Sequence, residues 1–327
     1  MTIEKQFAKI TAAAHYVPRL RVTNDDLAQI MDTSDEWITS RTGIKARHIA
    51  TDEDTSDLCI QVAKQLLEKT ATDANEIDFI IVATTTPDFG TPQTSTLVQA
   101  AIKADNALAF DIGAACSGFV YALSAGEKFI QSGYKKGIVI GGELLSKITN
   151  WEDRTSAVLF GDAAGGVLLE ASEVQHFMAE RLRSDGERGK SLTGRQMQPK
   201  SPFSEEKEDN RYLVMNGRDI FDFATRDVPK NILEVLAKVN VTPDEVDYYL
   251  LHQANIRIIE KMEKKLGVAT EKFPTNMHEY GNTSAATIPT LLSENIENGK
   301  IVLGSNQLLV LTGFGGGLTW GTLLVKI

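Results

Sequence analysis

Glu76-Ile-Asp-Phe-Ile-Ile-Val-Ala-Thr84 is an apolar run between polar residues, which is the pattern of a strand that is buried on both faces and then enters a loop. A similar stretch, Glu245-Val-Asp-Tyr-Tyr-Leu-Leu-His-Gln253, begins 169 residues later. Because the same kind of strand recurs with the same polar flanks, we predict that the chain contains two copies of one structural plan.

Two further pairs of segments support this duplication. Cys116 follows the strand-like segment 107–112 and precedes Asn282 by 166 residues, and each of these two residues opens a stretch of small residues that leads into a helical pattern. Near the end of each half, at 161–169 and at 313–321, glycines accompany an apolar run. We therefore predict that Cys116 and Asn282 occupy corresponding positions in two similar halves.

The segments between these landmarks predict alternating strands and helices. Helical periodicity covers 57–69 and 228–239, which favours α/β layers with central sheets and crossover helices. We predict that the chain divides into residues 1–172 and 173–327. Residues 184–211 are polar and charged without apolar periodicity, so we expect a long surface loop there.

Composition limits the classes of function. The 327 residues are 42% hydrophobic and 24% charged, which supplies enough apolar material for a sizeable core. A net charge of −10 disfavours general nucleic-acid binding, because that binding needs a basic surface. No stretch approaches the roughly 18 apolar residues of a spanning helix, and residues 1–9 lack the apolar segment of a signal peptide. We therefore expect a cytoplasmic protein without a membrane partner.

The two cysteines of the chain are too few for a disulfide framework and lack the paired spacing of a zinc site. Cys116 lies in Gly113-Ala-Ala-Cys-Ser-Gly-Phe119, between a strand and a helical run. A helix N-terminus favours the reactive thiolate, and small neighbours let a ligand approach, so we predict that Cys116 is a nucleophile. The alternative is a buried structural cysteine, and Cys59 fits that role better because it lies on an apolar helical face.

Two further polar residues lie where strands end. His252 ends the apolar run 248–251, and Asn282 follows Tyr280-Gly281, so both are predicted at strand-to-loop transitions, where α/β sheets place active sites. Each could instead be a capping or core hydrogen-bonding residue. The glycines of Gly313-Phe-Gly-Gly-Gly317 could bring backbone N–H groups close to a thioester oxygen, or could form only a tight bend between two strands.

These residues stand within motifs that cover nearly the whole chain. The motifs, in order, are Thr33-Ser-Asp-Glu-Trp-Ile38 with Arg41-Thr-Gly-Ile44, Ala114-Ala-Cys-Ser-Gly-Phe119, Phe160-Gly-Asp-Ala-Ala164, His252-Gln-Ala-Asn255, Tyr280-Gly-Asn-Thr-Ser-Ala-Ala286 and Phe314-Gly-Gly-Gly-Leu-Thr-Trp-Gly321. In this order they resemble the β-ketoacyl-[acyl-carrier-protein] synthase III family, the initiating condensing enzymes of bacterial type II fatty-acid synthesis. The resemblance implies a thiolase fold, with two similar halves in an α/β/α/β/α layered arrangement, and a homodimer.

The resemblance also implies a two-stage reaction. An acyl-CoA primer would acylate Cys116, and malonyl-[acyl-carrier protein] (malonyl-ACP) would then lose CO2 and attack the acyl-cysteine to give β-ketoacyl-ACP. His252 and Asn282 would hydrogen-bond the malonyl thioester oxygen as enolate charge develops. The backbone N–H groups of Cys116 and Gly316 would form the oxyanion hole for the acyl-cysteine. Acyl-CoA is a substrate in this scheme, and no metal or redox cofactor is expected.

The same resemblance assigns residues to coenzyme A. Trp37 would stack on the adenine with Arg154 beside it, and Arg41 would contact the phosphates. The residues expected to line the pantetheine tunnel are Gly217, Phe221 and Asn255. Without the resemblance, Trp37 could be a core anchor and Arg41 a surface ion-pair partner.

Two assignments concern substrate choice and the carrier protein. Many relatives carry a bulky Phe before the proline of the segment that closes the primer pocket across the dimer, whereas this chain has Thr91. Thr91 implies a roomier pocket; the alternative is that Phe89 or another residue supplies the missing bulk. The helix after His252 carries four cations on one face, which we predict to dock the acidic acyl carrier protein: Arg257, Lys261, Lys264 and Lys265. The alternative is a solvated face of an amphipathic helix.

Other activities share parts of this pattern. A chalcone-synthase-like polyketide synthase or a hydroxymethylglutaryl-CoA synthase would share the fold, and the polyketide synthase would share the Cys/His/Asn set. A thiolase proper would need a second cysteine in the C-terminal glycine-rich loop, and residues 313–317 contain none. A non-catalytic acyl-CoA or carrier-protein binding module is the alternative of another class, and the intact Cys116, His252 and Asn282 argue against it.

Overall fold

The structure, a computed structural model, describes residues 6–205 and 207–327. The strands are β1 (Phe7–Tyr16), β2 (Leu20–Thr23), β3 (Ala46–Ile49), β4 (Phe79–Ala83), β5 (Leu108–Ile112), β6 (Lys136–Leu144), β7 (Asp162–Ser172), β8 (Phe177–Ser184), β9 (Leu192–Thr193), β10 (Val214–Met215), β11 (Tyr248–Leu251), β12 (Leu308–Gly315) and β13 (Thr319–Lys326). The helices are α1 (Asn24–Leu27), α2 (Asp35–Thr42), α3 (Thr55–Thr70), α4 (Thr94–Ile102), α5 (Gly118–Gln131), α6 (Gly217–Ala237), α7 (Ile256–Leu266), α8 (Met277–Tyr280) and α9 (Thr287–Glu297).

The two apolar runs predicted as buried strands form β4 and β11, and each lies in its own sheet. The first sheet has the order β1-β7-β6-β4-β5, with β4 parallel to β5 and β6 and with β7 antiparallel to both neighbours. The second sheet has the order β11-β12-β13-β8, with β11 parallel to β12. All five residues of β4 are buried, as expected for a strand covered on both faces.

Helices separate and cover the two sheets. The central layer consists of α5 and α9, and each of these helices packs against strands of both sheets. Helices α3 and α4 cover the outer face of the first sheet, while α6 covers the outer face of the second and packs against α7. The apolar core between the sheets includes Phe119 and Leu123 of α5 with Leu291 and Leu292 of α9. This arrangement confirms the predicted α/β/α/β/α layers.

The two halves correspond with an offset of 169 residues, which corrects one prediction. A short turn at Ala115–Ser117 leads into α5, and the turn Ser284–Ala286 leads into α9, with Ala115 and Ser284 both in the left-handed region at φ 45° and 50°. Cys116 therefore corresponds to Ala285, and the predicted pairing of Cys116 with Asn282 is wrong by three residues. The small residues around both positions are so alike that they do not fix the register, whereas the strands and helix starts do.

The polar segment 184–211 is not a simple surface loop. It contains β9, which pairs antiparallel with β10, and Leu192 of β9 packs against the core on the outer side of the second sheet. Helix α6 also begins eleven residues before the predicted start at 228. Its first turn is fixed by Asn216, whose side chain accepts a hydrogen bond from the Asp219 backbone N–H, a cap that apolar periodicity does not reveal.

Three sequence expectations concern the ends and the division of the chain. Strand β7 ends at Ser172 and β8 begins at Phe177, yet α5 and α9 pack across both sheets, so the division at 172 stays a prediction for domains. Among the helices that the structure describes, none is long and apolar enough to span a membrane. Residues 1–5, on which the expectation about a signal peptide partly rests, lie outside the described residues.

Candidate active site

The three predicted catalytic residues meet in one cavity of about 330 Å³. Cys116, His252 and Asn282 all line this space, which we call the central cavity. His252 directly follows β11, and Cys116 lies in the turn that precedes α5, so strand ends and a helix start converge here. The structure therefore brings together residues that are as far apart as 166 positions in the sequence.

The turn that carries Cys116 is held against strand β12 by glycine. A side chain at Gly315 would place its Cβ only 2.9 Å from Cβ and 3.0 Å from the backbone N of Cys116. At Gly313 a Cβ would lie 2.8 Å from Cα of Ser117. These positions need glycine because the two backbones approach too closely for any side chain. The glycine run therefore does more than form a bend, and Gly316 within it also lines the central cavity.

The Cys116 thiol is protonated in the resting cavity. Burial raises its pKa to about 12, a hydrogen bond with Ser284 opposes that rise, and the nearby charge of Glu143 adds to it. The sequence predicted a thiolate because of the helix N-terminus, and Cys116 does lie just before α5. Loss of hydration outweighs that effect here, so a nucleophilic Cys116 would need a group that takes the thiol proton.

His252 is buried and neutral. Its Nδ1 lies 2.7 Å from Oγ1 of Thr287, and its backbone N–H donates to the carbonyl of Thr312 at 2.9 Å. The centroid of its ring lies 5.1 Å from that of Phe314, and the two rings pack edge to face. Burial lowers the pKa of His252 to about 3, so imidazole and not imidazolium is present near neutral pH. A neutral imidazole has one N–H donor and one acceptor nitrogen, which the neighbouring hydroxyl helps to select.

Asn282 is fixed with its amide group oriented. The Ser284 backbone N–H donates to its Oδ1 at 2.9 Å. Its own backbone pairs with the segment before β7, donating to the carbonyl of Leu159 at 2.8 Å and accepting from Gly161 at 3.1 Å. Because the amide oxygen already has a partner, the Nδ2 group remains as the donor that Asn282 can offer to a ligand in the central cavity.

The residues assigned to coenzyme A form two groups that are connected through α2. The guanidinium carbon of Arg41 lies 4.6 Å and that of Arg154 5.4 Å from the centroid of the Trp37 ring. Arg154 also donates to the backbone carbonyl of Asp32 at 2.6 Å. Asn255 lines the central cavity and donates from Nδ2 to the carbonyl of Arg41 at 3.1 Å, which links the Trp37 group to the cavity. The remaining assigned residues, Gly217 and Phe221, line the cavity as well.

Thr91 does not reach the central cavity of its own chain. It is exposed, and it stands in a loop near Phe89, which is 55% exposed. The sequence assignment places Thr91 in the pocket across a dimer, so within one chain its role stays a prediction.

The four cations of α7 are exposed on one side of the helix, as the sequence predicted. The opposite side carries Ile258, Ile259, Met262 and Leu266, which are all buried. Arg257 donates from Nη2 to the carbonyl of Ser40 at 2.8 Å, which connects this face to α2 and to the Trp37 group. The cationic face therefore begins near the open side of the central cavity.

Sequence reasoning missed the apolar wall of the cavity and the acid beside it. The apolar side chains that line the cavity come from separate loops and strands: Leu145, Ile148, Phe160, Leu192, Leu213 and Met215. No local pattern joins them. Glu143, in contrast, is an acid within the apolar strand β6, and an acidic residue inside such a run is a signal that could have been noticed.

Comparison with known proteins agrees with this arrangement. Models of 3-oxoacyl-[acyl-carrier-protein (ACP)] synthase III and of its C-terminal part match residues 110–186 and 236–327. The β-ketoacyl-[acyl-carrier-protein] synthase III of Streptococcus mutans serotype c is 62% identical over 98% of this chain and 99% of its own length. The crystal structure of 3-oxoacyl-[acyl-carrier-protein] synthase III from Aquifex aeolicus VF5 has a TM-score of 0.91 at 43% identity, covering 98% of this chain and 100% of that one.

A priming β-ketosynthase from the R1128 polyketide biosynthetic pathway superposes equally well. Its TM-score is 0.91 at 30% identity, covering 100% of this chain and 98% of that one. The fold is therefore shared by enzymes of more than one pathway. The identity to this polyketide enzyme is lower than the 62% and 43% found for the two 3-oxoacyl-[acyl-carrier-protein] synthase III relatives.

Proposed function

This chain belongs to the 3-oxoacyl-[acyl-carrier-protein] synthase III family, and we propose that its central cavity condenses an acyl-CoA primer with malonyl-ACP. The protein is an acyltransferase whose reaction releases CO2 and gives β-ketoacyl-ACP, the step that initiates fatty-acid synthesis. The observation that supports this site most directly is the convergence of Cys116, His252 and Asn282 on one cavity.

In the first half-reaction Cys116 takes the acyl group. Its sulfur attacks the thioester carbonyl of acyl-CoA, the new C–S bond forms, and the bond to CoA sulfur breaks. The backbone N–H groups of Cys116 and Gly316 are the proposed donors to the oxyanion. The close approach of β12 to the Cys116 turn supports this pairing, because it brings both backbones to one side of the thiol.

In the second half-reaction malonyl-ACP enters and loses CO2. Asn282 offers Nδ2 and neutral His252 offers an N–H, so two uncharged donors are proposed to meet the developing enolate oxygen. Removing one such donor typically costs about 10²–10³ in rate. The carbanion then attacks the acyl-cysteine and releases Cys116. These steps are acyl transfer and decarboxylation, and they involve no metal or redox cofactor.

The apolar wall of the central cavity is proposed to hold the primer. Leu145, Phe160 and Leu192 line the same cavity as Cys116, and the alkyl part of a short acyl group would be removed from water against them. Thr91 of a second copy is proposed to close this pocket in a homodimer. A threonine leaves more room there than a phenylalanine, so branched or longer primers are expected to fit.

The route for coenzyme A and for the carrier's pantetheine is proposed to pass Asn255, Gly217 and Phe221. The Trp37 group at the outer end would bind the nucleotide by stacking and by charge. Arg41 and Arg154, both close to the Trp37 ring, would supply the charge.

The cationic face of α7 is proposed to dock the acidic carrier. Arg257, Lys261, Lys264 and Lys265 are exposed, and the chain carries a net charge of −10, so this local patch is what an anionic partner could use.

The test combines product analysis with mass measurement of the intact chain. With acetyl-CoA alone, wild type should gain one acetyl group on Cys116, and Cys116→Ser should gain none at a comparable rate. With malonyl-ACP added, one CO2 and one β-ketoacyl-ACP should form per turnover. Acetylation of Cys59 instead would contradict the assignment of the nucleophile. Products of several successive condensations would support a polyketide synthase.

A further inference from the structure

Glu143 is a buried acid that hydrogen-bonds two residues lining the central cavity, Thr85 and Ser284, and the proposed reaction has no role for it so far. It has zero exposure, and among the described residues it has no ion-pair partner. Its carboxyl accepts hydrogen bonds from three consecutive threonines: the hydroxyl of Thr86 at 2.6 Å, the backbone N–H of Thr85 at 3.1 Å and the hydroxyl of Thr84 at 3.3 Å. Those three bonds are to Oε2, whereas Oε1 accepts from the hydroxyls of Ser284 and Thr85, each at 3.0 Å.

Ser284 connects this acid to all three proposed catalytic residues. Its hydroxyl donates to Glu143, and Ser284 lines the central cavity together with Cys116, whose pKa it lowers. Its backbone N–H orients Asn282, and its carbonyl accepts at 2.9 Å from the Thr287 hydroxyl that contacts His252. The side chain of Ser284 therefore serves Cys116 and Glu143, while its backbone serves the other two residues.

The Ser284 hydroxyl has a single proton, which fixes the direction of the hydrogen bonds that connect Cys116, Ser284 and Glu143. When Glu143 is ionised, Ser284 donates to Oε1, so its oxygen is free to accept the S–H of Cys116. The alternative proton acceptor, His252, is poor because burial lowers its pKa to about 3. Burial raises the pKa of Glu143, against the effect of the hydrogen bonds from Thr86, Thr85 and Ser284. Glu143 is therefore the better final acceptor for a thiol proton.

We propose that Ser284 and Glu143 form a proton relay for Cys116. As the thiol gives its proton to Oγ of Ser284, Ser284 gives its own proton to Oε1 of Glu143, and the thiolate attacks the acyl-CoA carbonyl. The C–S bond to CoA breaks, and the CoA thiolate takes a proton from Ser284 while Glu143 returns one to Ser284. The relay ends as it began, and the thiol proton has moved from Cys116 to CoA. It rests on the proposed role of Cys116 as nucleophile.

Ser284→Ala is the decisive variant because it removes only the middle of the relay. Its backbone N–H and carbonyl remain, so Asn282 and Thr287 keep their partners. The left-handed backbone at this position accepts alanine, as Ala115 shows at the corresponding position of the first half. Ser293→Ala is the matched control, because Ser293 is a buried serine of α9 that does not line the central cavity. Its hydroxyl contacts His15 at 3.0 Å and Glu297 at 3.3 Å.

The measurement is the rate at which iodoacetamide modifies Cys116, followed by intact mass from pH 6 to 10, together with acetylation by acetyl-CoA. Arg195 and His252 line the cavity with Cys116, and both are present in all variants. Wild type should show a plateau near neutral pH, because the relay moves the proton internally. Ser284→Ala should react about 100-fold more slowly at pH 7, the lower range for a positioned base, and accelerate about tenfold per pH unit. Glu143→Gln should behave in the same way.

Several outcomes would overturn the relay. One is a wild-type rate and plateau in Ser284→Ala. Another is a loss of the same size at every pH, because that would be a structural effect. A third is an equal loss in Ser293→Ala. If Glu143→Gln does not fold, Ser284→Ala still decides. If wild type itself is not acetylated on Cys116, the proposed nucleophile fails, and this result is separate from failure of the relay.

Discussion

Replacing Gly315 with alanine tests whether the glycine run exists to position the nucleophile. The added methyl group would lie 2.9 Å from Cβ and 3.0 Å from the backbone N of Cys116, closer than such atoms pack. Strand β12 cannot yield cheaply, because it is buried from Leu309 to Gly315, and Ser117 of the Cys116 turn is also fully buried. Overpacking of this kind costs about 1–3 kcal/mol of stability. A displacement of the sulfur toward 1 Å costs about 10²-fold in rate. We therefore expect acetylation of Cys116 to slow by about 10- to 100-fold.

The assay is quenched-flow acetylation by acetyl-CoA with intact-mass detection, alongside thermal unfolding. Gly113→Ala is the control, since it lies three residues before Cys116, its Cβ would meet nothing within 4 Å, and it is outside the left-handed region. It should acetylate at the wild-type rate. If Gly315→Ala also acetylates at the wild-type rate, the close approach does not position the thiol, and the reasoning fails.

Four further predictions follow from the site. His252→Ala and Asn282→Ala should each lose about 10²–10³ in CO2 release while still accepting acetyl on Cys116; equal loss of both half-reactions would make His252 the base for the thiol. Because burial holds the pKa of His252 to about 3, CO2 release should show no step between pH 5 and 8 that His252→Ala removes. Thr91→Phe should shift kcat/KM from isobutyryl- and hexanoyl-CoA toward acetyl-CoA, and an unchanged preference would remove Thr91 from the pocket. Charge reversal at Arg257 and Lys261 should raise KM for malonyl-ACP about tenfold at low salt and leave KM for acetyl-CoA alone; no change in either would place docking elsewhere.

The local sequence pattern was enough to predict the strands and the position of the Cys116 thiol. The run that forms β4 is apolar throughout because the strand is covered on both faces, and such burial is visible in the sequence itself. The turn before α5 was also predictable, because small residues between a strand and a helical pattern leave few other conformations. The fold class followed from the alternation of these elements and from the motifs.

Contacts between distant segments were not predictable in the same way. Leu192 lies in a polar stretch, yet β9 places it on the wall of the central cavity. The hydrogen bond from Ser284 to Glu143 joins residues 141 positions apart, and nothing near either residue indicates the other. Such contacts are set by how the two sheets lie on the shared helical layer. The reversal of the thiol's expected ionisation has the same origin, because burial of Cys116 depends on walls from many segments.

The correspondence between the halves explains why only one of them carries a buried histidine at the end of its central strand. With the offset of 169, Ala83 corresponds to His252 and Gly118 to Thr287. In the first half the start of α5 packs so closely on β4 that a Cβ at Gly118 would lie 3.0 Å from Cβ of Ala83. In the second half the same junction is occupied by the hydrogen bond between Thr287 and His252. The first junction therefore packs too tightly to hold an imidazole, so a histidine at this position fits only in the second half.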